Sequence, residues 1–226
     1  MERPFSRLVE VGPGAGALTK FILQIENVDF RAVELDDEKV AYLETTFPAI
    51  QNKIIHRDFL EIEKPFDDPF TVIGNFPYNI STEIVFKVIE WRKEVECMIG
   101  MFQKEVALRI AAAEGNKIYG VTSVLVQAFF KVDYLFEVSE QSFNPPPKVK
   151  SAVIRFTPKT DAPGIRSEKD LFLLVKTAFN QRRKTLRNAV KNLFDAAVLE
   201  DTLFNKRAEQ LSVQQFADLT FKMKTV

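Results

Sequence analysis

A glycine-rich turn followed by an acidic residue gives the first indication of chemistry in the chain. Residues 9–16 read VEVGPGAG, and glycines at this spacing let the backbone turn sharply and let a ligand approach the N-terminus of a following helix. Glu34 lies twenty residues after Gly14, at the end of the next predicted strand, where a carboxylate can accept hydrogen bonds from a ribose diol. The spacing G-x-G-x-G differs from the dinucleotide fingerprint G-x-G-x-x-G, and a plain tight turn is the alternative. Together with Glu34, the turn favours a cofactor that contains adenosine.

Two more segments with polar residues follow predicted strands. Asp58 and Phe59 come after the third strand, so the carboxylate can accept a hydrogen bond from an adenine amino group while a neighbouring apolar side chain covers the ring. A helix cap or a loop-stabilising role is the alternative for Asp58. Residues 74–81 (GNFPYNIS) follow the fourth strand, and loops at this edge of a doubly wound sheet line the crevice in which ligands bind.

The composition excludes several other kinds of chemistry. Of the 226 residues, 46% are hydrophobic and 27% are charged, as is typical of a folded protein. The single Cys97 rules out an intramolecular disulfide and a Cys-rich zinc site, and the single His56 leaves no His-based metal cluster and disfavours a Ser-His-Asp triad. No apolar run approaches the roughly 18–20 residues that span a bilayer, and the first five residues show no apolar signal-peptide core. We therefore expect a cytoplasmic protein with no bound metal and no membrane partner.

Alternating strands and helices are expected to position these segments. The apolar pattern predicts strands at 8–11, 30–35, 54–55, 71–73 and 98–102, and helices at 17–23, 37–47, 81–91 and 104–113, with Ser81 as an N-cap. This alternation indicates βαβ units and a mostly parallel sheet. Two later β-rich segments, 134–138 and 152–156, flank a loop at 143–147 and look like a hairpin-type addition to the sheet.

Charge and composition change in the second half of the chain. Residues 1–140 carry 15 basic and 23 acidic side chains, whereas residues 141–226 carry 16 basic and 8 acidic ones. Pro and Gly punctuate residues 158–164, which predicts a linker, and apolar residues beyond it recur at helical spacing. We predict one domain over residues 1–160 and a small helical domain over residues 165–226. The basic excess suggests that the second part contacts a polyanion; a solvated basic surface is the alternative.

Several segments together resemble one known family. Residues 75–81 (NFPYNIS), 103–106 (QKEV), 143–153 (FNPPPKVKSAV) and 178–187 (AFNQRRKTLR) are similar, in this order, to motifs of the KsgA-type rRNA adenine dimethyltransferases. The resemblance extends from about residue 8 to residue 194. It implies the Rossmann-like α/β fold of S-adenosylmethionine-dependent methyltransferases, with a mostly parallel sheet, a late antiparallel strand and a small C-terminal helical domain.

The resemblance also implies a reaction and a catalytic site. Enzymes of this family place two methyl groups on each of two adjacent adenosines near the 3′ end of small-subunit rRNA. In this chain the catalytic residues would be Asn75, Phe76, Pro77, Tyr78 and Phe143. The Asn75 side-chain carbonyl and the Phe76 or Pro77 backbone carbonyl would accept both hydrogens of the adenine N6 amine and make its lone pair available, with no strong base required. Tyr78 would stack on one face of the flipped-out base and Phe143 would cover the other; core packing is the alternative for Phe143.

The remaining expectations concern the cofactor, the RNA and the partners. S-adenosyl-L-methionine is the expected cofactor, and the predicted cofactor-binding residues are Glu10, Gly12, Gly14, Gly16, Glu34, Leu35, Asp58, Phe59 and Asn75. The predicted RNA-binding residues are Lys148, Lys150, Arg182, Arg183, Lys184 and Arg187, because basic side chains can neutralise phosphates without reading sequence. We expect a monomeric enzyme that acts on rRNA within a pre-ribosomal small subunit and takes part in small-subunit biogenesis.

One difference from the family and three rival functions bear on this interpretation. The sequence lacks the family's usual N-terminal segment with its Gln-Asn/His-Phe-Leu motif, which closes over the cofactor; we expect the fold to persist without it, whereas cofactor affinity and turnover depend on it. A related Erm-type enzyme that methylates large-subunit rRNA is the first rival, and the run at 145–147 and the segment at 181–184 favour the small-subunit type. A ribosome-assembly factor with little catalytic activity is the second. An NAD-dependent oxidoreductase is the third, and it gives residues 75–78 no role.

Overall fold

A seven-stranded sheet forms the framework of the chain. The computed structural model describes residues 5–143 and 147–224. In this part of the chain the strands are β1 (Arg7–Val11), β2 (Asp29–Glu34), β3 (Ile54–His56), β4 (Phe70–Asn75), β5 (Val95–Gln103), β6 (Phe130–Val138) and β7 (Ser151–Pro158). Their order in the sheet is β3-β2-β1-β4-β5-β7-β6. Strands β1 to β5 pair in parallel, and β7 pairs antiparallel with β5. The predicted α/β class with a late antiparallel strand is confirmed.

Helices connect and follow these strands. They are α1 (Thr19–Ile22), α2 (Asp37–Thr46), α3 (Ser81–Glu90), α4 (Lys104–Ile110), α5 (Val121–Gln127), α6 (Glu168–Asn180), α7 (Leu186–Val190), α8 (Ala196–Leu199) and α9 (Val213–Thr220). Among the described residues, no helix combines the length and the apolar character that a bilayer crossing requires.

Three local predictions differ from the structure. The first predicted helix, 17–23, shortens to α1 because residues 17 and 18 continue the turn that begins at residue 14, and residue 23 is also in a turn. Ser81 is not the N-cap of α3: Ile80 occupies that position, and the Ser81 hydroxyl donates to the Tyr78 carbonyl at 3.2 Å. Helix α5 was not predicted; its apolar run VTSVLVQ is buried on several sides, so it shows no amphipathic period.

The chain divides into two compact units. The first contains the described residues up to Lys104 and those between Asp133 and Pro158; the second contains Glu105–Val132 and the described residues from Lys159 onward. The division into residues 1–160 and 165–226 remains a prediction about domains, and in the structure the stretch Glu105–Val132 groups with the C-terminal helices.

Each unit has its own apolar core. In the first unit, Leu8 of β1, Phe30 and Ala32 of β2 and Leu43 of α2 are buried together, which fixes α2 against the strands that carry the glycine turn. In the second unit, α6 buries Leu171, Leu174, Val175 and Ala178, which recur at helical spacing on one face. Burial of one such side chain contributes about 1.5–3 kcal/mol relative to exposure.

Candidate active site

The carboxyl ends of three neighbouring strands bring the predicted polar residues to one edge of the sheet. Strand β1 pairs in parallel with both β2 and β4, so the residues that follow or end these strands lie side by side. Gly12 follows β1, Glu34 ends β2 and Asn75 ends β4. The backbone N–H of Gly12 donates to the Val33 carbonyl at 2.9 Å, which ties the start of the turn to β2.

The glycine turn requires backbone conformations that other residues rarely adopt. Gly12, Gly14 and Gly16 have φ values of 64°, 56° and 80°, and in this left-handed region only glycine avoids a steric penalty. A Cβ at Gly16 would also overlap the ring of Phe47, whereas Gly14 has no atom within 4 Å of its would-be Cβ. The turn therefore presents an open backbone surface at Gly14.

The Glu34 carboxylate is held by backbone donors at the base of this turn. Its Oε2 accepts from the N–H of Gly14 at 3.1 Å, and its Oε1 accepts from those of Leu35 at 3.0 Å and Asp36 at 3.1 Å. Glu34 is 7% exposed. A carboxylate offers about four acceptor positions, so the three backbone bonds fix its orientation and leave capacity for one further donor such as a ligand hydroxyl.

A cavity of about 530 Å³ lies beside Glu34. Its lining includes five of the predicted cofactor-binding residues, namely Gly12, Glu34, Leu35, Asp58 and Phe59. Asp58 also stabilises its own loop, because its Oδ1 accepts from the Leu60 N–H at 2.8 Å; both interpretations of this residue therefore have support. Sequence reasoning missed other lining residues, among them Lys39, Arg57 and Asn79, because their types carry no signal without the fold.

Four predicted cofactor-binding residues lie outside that lining, and one of them, Asn75, lines a different cavity that is described below. Gly14 lines an adjacent cavity of about 400 Å³ that shares Asp36 and Lys39 with the first one. Gly16 lines neither of these cavities and serves the turn itself. Glu10 is 1% exposed, and its Oε2 accepts from the Thr19 hydroxyl at 2.7 Å. The predicted contact of Glu10 with a cofactor remains a prediction.

Burial raises the pKa of Glu10 to about 7, even though the hydrogen bonds from Thr19 oppose the shift. The folded state therefore binds the Glu10 proton more tightly than the unfolded state does. The free energy of unfolding decreases as pH rises from the ordinary pKa of about 4.5 through the raised pKa of about 7. We expect Glu10→Gln to match the wild type near pH 4.5 and to be more stable by about 3 kcal/mol above pH 8. Urea denaturation of both proteins across this range checks the expectation, and a difference that does not change with pH would contradict it.

A third cavity, of about 260 Å³, shares Pro77 with the cavity of about 530 Å³ beside Glu34; these two are called the smaller and the larger cavity below. It is lined by Asn75, Phe76, Pro77, Tyr78, Phe143 and Pro147. The structure therefore brings together all five predicted catalytic residues, although Phe143 is far from the others in sequence. Phe143 is half-buried and forms part of a cavity wall, which disfavours simple core packing. Because Pro77 also lines the larger cavity, the two cavities meet at this residue.

The buried side chain of Phe76 anchors the backbone of this loop. Phe76 is 1% exposed and packs edge-to-face on Phe102, with ring centroids 5.2 Å apart. Gly74 of β4 and Gly100 of β5 are paired across the sheet. A Cβ at Gly74 would lie 2.6 Å from the Phe76 ring, and a Cβ at Gly100 would overlap it. Only two residues without side chains leave room for the Phe76 ring at these positions. We call this space between Gly74 and Gly100 the glycine seat.

The predicted RNA-binding residues are surface residues of the two units. Lys148 and Lys150 are exposed in the first unit, and Arg182, Arg183 and Lys184 are exposed in the second. Arg187 is partly buried, and within the described residues its Nε has no hydrogen-bond partner. Arg182 donates to the Lys117 carbonyl, which holds that side chain beside the chain segment before α5.

No metal site is found in the part of the chain that the structure describes, where no group of three or more His, Cys, Asp or Glu side chains could hold an ion. Asn144, Pro145 and Pro146, which belong to the predicted Pro-rich loop, lie outside the described residues.

Comparison with solved structures identifies the class of fold. A dimethyladenosine transferase from Plasmodium falciparum superposes with a TM-score of 0.76 at 24% identity, covering 94% of this chain and 88% of that one. The 23S rRNA methyltransferase ErmE superposes with a TM-score of 0.70 at 22% identity, covering 96% of this chain and 92% of that one. At these identities the likeness concerns the fold alone. The sheet has the Rossmann-like α/β fold of these two structures.

Sequence comparison identifies the family. The family model described as ribosomal RNA adenine dimethylase matches residues 3–224. Ribosomal RNA small subunit methyltransferase A from Phocaeicola vulgatus is 54% identical over 218 residues, covering 94% of this chain and 78% of the relative. The protein of the same name from Cytophaga hutchinsonii is 49% identical over 219 residues, covering 96% and 85%. The chain belongs to the ribosomal RNA adenine dimethylase family.

Proposed function

We propose that this protein uses S-adenosyl-L-methionine to dimethylate the N6 amine of two adjacent adenosines near the 3′ end of small-subunit rRNA, within a pre-ribosomal small subunit in the cytoplasm. The observation that carries the proposal is the meeting of two cavities at Pro77, one beside Glu34 and one between Tyr78 and Phe143. Family membership and relatives named small subunit methyltransferase A support the substrate.

The residues of the larger cavity fit the cofactor. Glu34, oriented by three backbone donors, would accept from a ribose hydroxyl. Leu35 and Phe59 would supply apolar contact to a purine, and the Asp58 carboxylate would accept from its amino group; all three line the cavity. When bound, S-adenosyl-L-methionine supplies an electrophilic methyl group on a positively charged sulfur.

The smaller cavity would activate the target nitrogen. Asn75 is exposed at the end of β4, where its side-chain carbonyl and the backbone carbonyl of Phe76 or Pro77 would accept the two N6 hydrogens. These preorganised dipoles face the nitrogen as positive charge develops on it, which is where fixed dipoles lower a barrier most. The proton is then lost to water, because a methylated ammonium of this kind is acidic.

Aromatic side chains would hold the base in place. Tyr78 and Phe143 both line the smaller cavity, and stacking of a base on an aromatic ring contributes roughly 1–3 kcal/mol. This gain offsets part of the cost of extruding the adenosine from its RNA stack.

The proposal is tested by offering the protein isolated subunits. We expect labelled methyl groups to enter unmethylated small subunits at two adjacent adenosines and to be absent from large subunits. Label in large subunits alone would support the Erm-type alternative. No label in either would support an assembly factor and contradict the proposal.

Loss of the Glu34 carboxylate should chiefly weaken cofactor binding. A hydrogen bond to a charged group contributes about 1.5–3 kcal/mol, so we expect Glu34→Ala to raise the dissociation constant for S-adenosyl-L-methionine by about 10- to 100-fold. Isothermal titration calorimetry measures it, with the exposed Glu44→Ala on α2 as the control. Equal affinities for Glu34→Ala and wild type would show that Glu34 has no such role.

The exposed cations of the second unit should determine the salt dependence of RNA binding. Each phosphate contact that releases a counterion adds about 0.7–0.9 to the slope of log affinity against log salt. Replacing Arg182, Arg183 and Lys184 with Gln should therefore reduce the slope by about 2–3. Binding titrations between low and moderate salt check this, and an unchanged slope would exclude these contacts.

A further inference from the structure

A hydrogen bond joins Tyr78, which lines the smaller cavity, to the first residue of β7. The Tyr78 hydroxyl and the Ser151 Oγ lie 2.6 Å apart. Tyr78 belongs to the loop after β4, whereas Ser151 is the first residue of β7 and directly follows the loop that contains Phe143 and Pro147. Both loops contribute lining residues to the cavity, and Ser151 itself does not line it.

Ser151 is well placed to act as a fixed anchor. It is fully buried, at 0% exposure, and pairs with Gln103 at the end of β5. Its position is therefore set by the sheet. The other end of Tyr78 is also held, because the Ser81 hydroxyl donates to the Tyr78 carbonyl. One serine thus fixes the backbone of Tyr78 and another holds the far end of its ring.

The ring of a tyrosine needs such a restraint if it is to serve as a stacking surface. Tyr78 is only partly buried, and the torsion about the Cα–Cβ bond of a tyrosine has three staggered wells that carry the ring to different places. A hydrogen bond at the hydroxyl selects one of these wells, since the hydroxyl lies at the end of the side chain farthest from the backbone and is displaced most when the Cα–Cβ torsion changes. A base then meets a preoriented face, which lowers the entropy that binding must offset.

We propose that Ser151 is a positioning residue for methyl transfer, which holds the Tyr78 ring in one place against the target purine through the hydroxyl–hydroxyl bond. The inference rests on the proposed function, because it assigns the orientation of a ring that stacks on the substrate. The Tyr78 hydroxyl has no proton-transfer role here; its bond is to the protein.

A double-mutant cycle tests the proposal. Ser151→Ala and Tyr78→Phe each remove one hydroxyl and retain the aromatic ring. We expect each to lower the single-turnover rate at saturating RNA and cofactor by about 5- to 50-fold, with cofactor affinity unchanged. The double variant should be no slower than the slower single variant, because both changes remove the same bond. Multiplicative losses, or unchanged rates in both single variants, would overturn the proposal.

Two further measurements separate positioning from general destabilisation. RNA with 2-aminopurine at the target position should show weaker fluorescence quenching when bound to Ser151→Ala than to wild type, because the probe would stack less well. Ser123→Ala is the matched control: Ser123 is also fully buried, and its hydroxyl donates to the Arg109 carbonyl in the other unit. Ser123→Ala should lower the melting temperature. It should not change the fluorescence quenching or the single-turnover rate of methyl transfer by the folded protein. Equal quenching in Ser151→Ala and wild type would contradict a positioning role.

Tyr78→Ala distinguishes failure of this inference from failure of the proposed function. If Tyr78→Ala slows transfer while Ser151→Ala and Tyr78→Phe do not, stacking stands and the anchoring role is wrong. If Tyr78→Ala transfers methyl groups at the wild-type rate, stacking on Tyr78 is wrong and the anchoring role fails with it.

Discussion

Asn75→Ala is expected to lower the rate of methyl transfer by about 100- to 1000-fold, the effect of removing one preorganised dipole from a site where charge develops. Only one carbonyl acceptor for the N6 hydrogens would remain, from the backbone of Phe76 or Pro77. The fold should be retained, because Asn75 is exposed at the end of β4 and its side chain supports no core packing. Single-turnover assays and thermal unfolding together measure the two effects.

The matched control for this variant is Asn205→Ala, which removes an exposed asparagine amide from the second unit. It should leave the rate unchanged. Transfer at the wild-type rate by Asn75→Ala would mean that the activation of the amine by carbonyl oxygens is wrong, whatever the substrate.

Gly100→Ala is expected to reduce both stability and methyl transfer, because the added methyl group would overlap the Phe76 ring and lie 2.7 Å from the Phe102 ring. Overpacking of this kind costs about 1–3 kcal/mol, which corresponds to a melting temperature lower by several degrees in a chain of this size. The Phe76 ring must move, and the Phe76 backbone carbonyl must move with it. We therefore expect the rate of methyl transfer by the folded protein to fall at least about tenfold.

A second-site change separates this steric effect from a general one. Phe76→Leu in the Gly100→Ala background frees space while leaving the backbone carbonyl in place, and it should restore part of both losses. Gly164→Ala is the control, because no atom lies within 4 Å of its would-be Cβ. The glycine seat has no positioning role if Gly100→Ala has the melting temperature and transfer rate of the wild type. The same conclusion holds if Phe76→Leu lowers the melting temperature and the rate of Gly100→Ala further.

The sheet and the cluster of polar residues at the carboxyl ends of its strands could be predicted from sequence because their signals are local. Apolar runs mark each parallel strand, and an acidic residue at a strand end marks the position of Glu34 relative to the turn at 12–16. A ligand cavity beside Glu34 is then expected, because neighbouring parallel strands have their carboxyl ends at the same edge of the sheet. The proximity of Phe143 to Asn75 came from family resemblance, since nothing in residue type or spacing relates positions so far apart.

The features that sequence reasoning missed depend on contacts between strands. The seat for Phe76 needs Gly74 and Gly100 in the same register, and two isolated glycines in strands carry no sign of that pairing. Ser151 reads as an ordinary strand residue until its bond to Tyr78 is seen. Helix α5 is apolar on several faces, so periodicity could not distinguish it from a strand.

The most direct test of the account is a structure of the protein with S-adenosylhomocysteine and an RNA that contains the target adenosine. We expect the N6 nitrogen to lie about 3 Å from Asn75 Oδ1 and from the carbonyl oxygen of Phe76 or Pro77, with the purine between Tyr78 and Phe143. A purine bound elsewhere, or an ionisable side chain within hydrogen-bond distance of N6 in place of these carbonyl oxygens, would contradict the central claim.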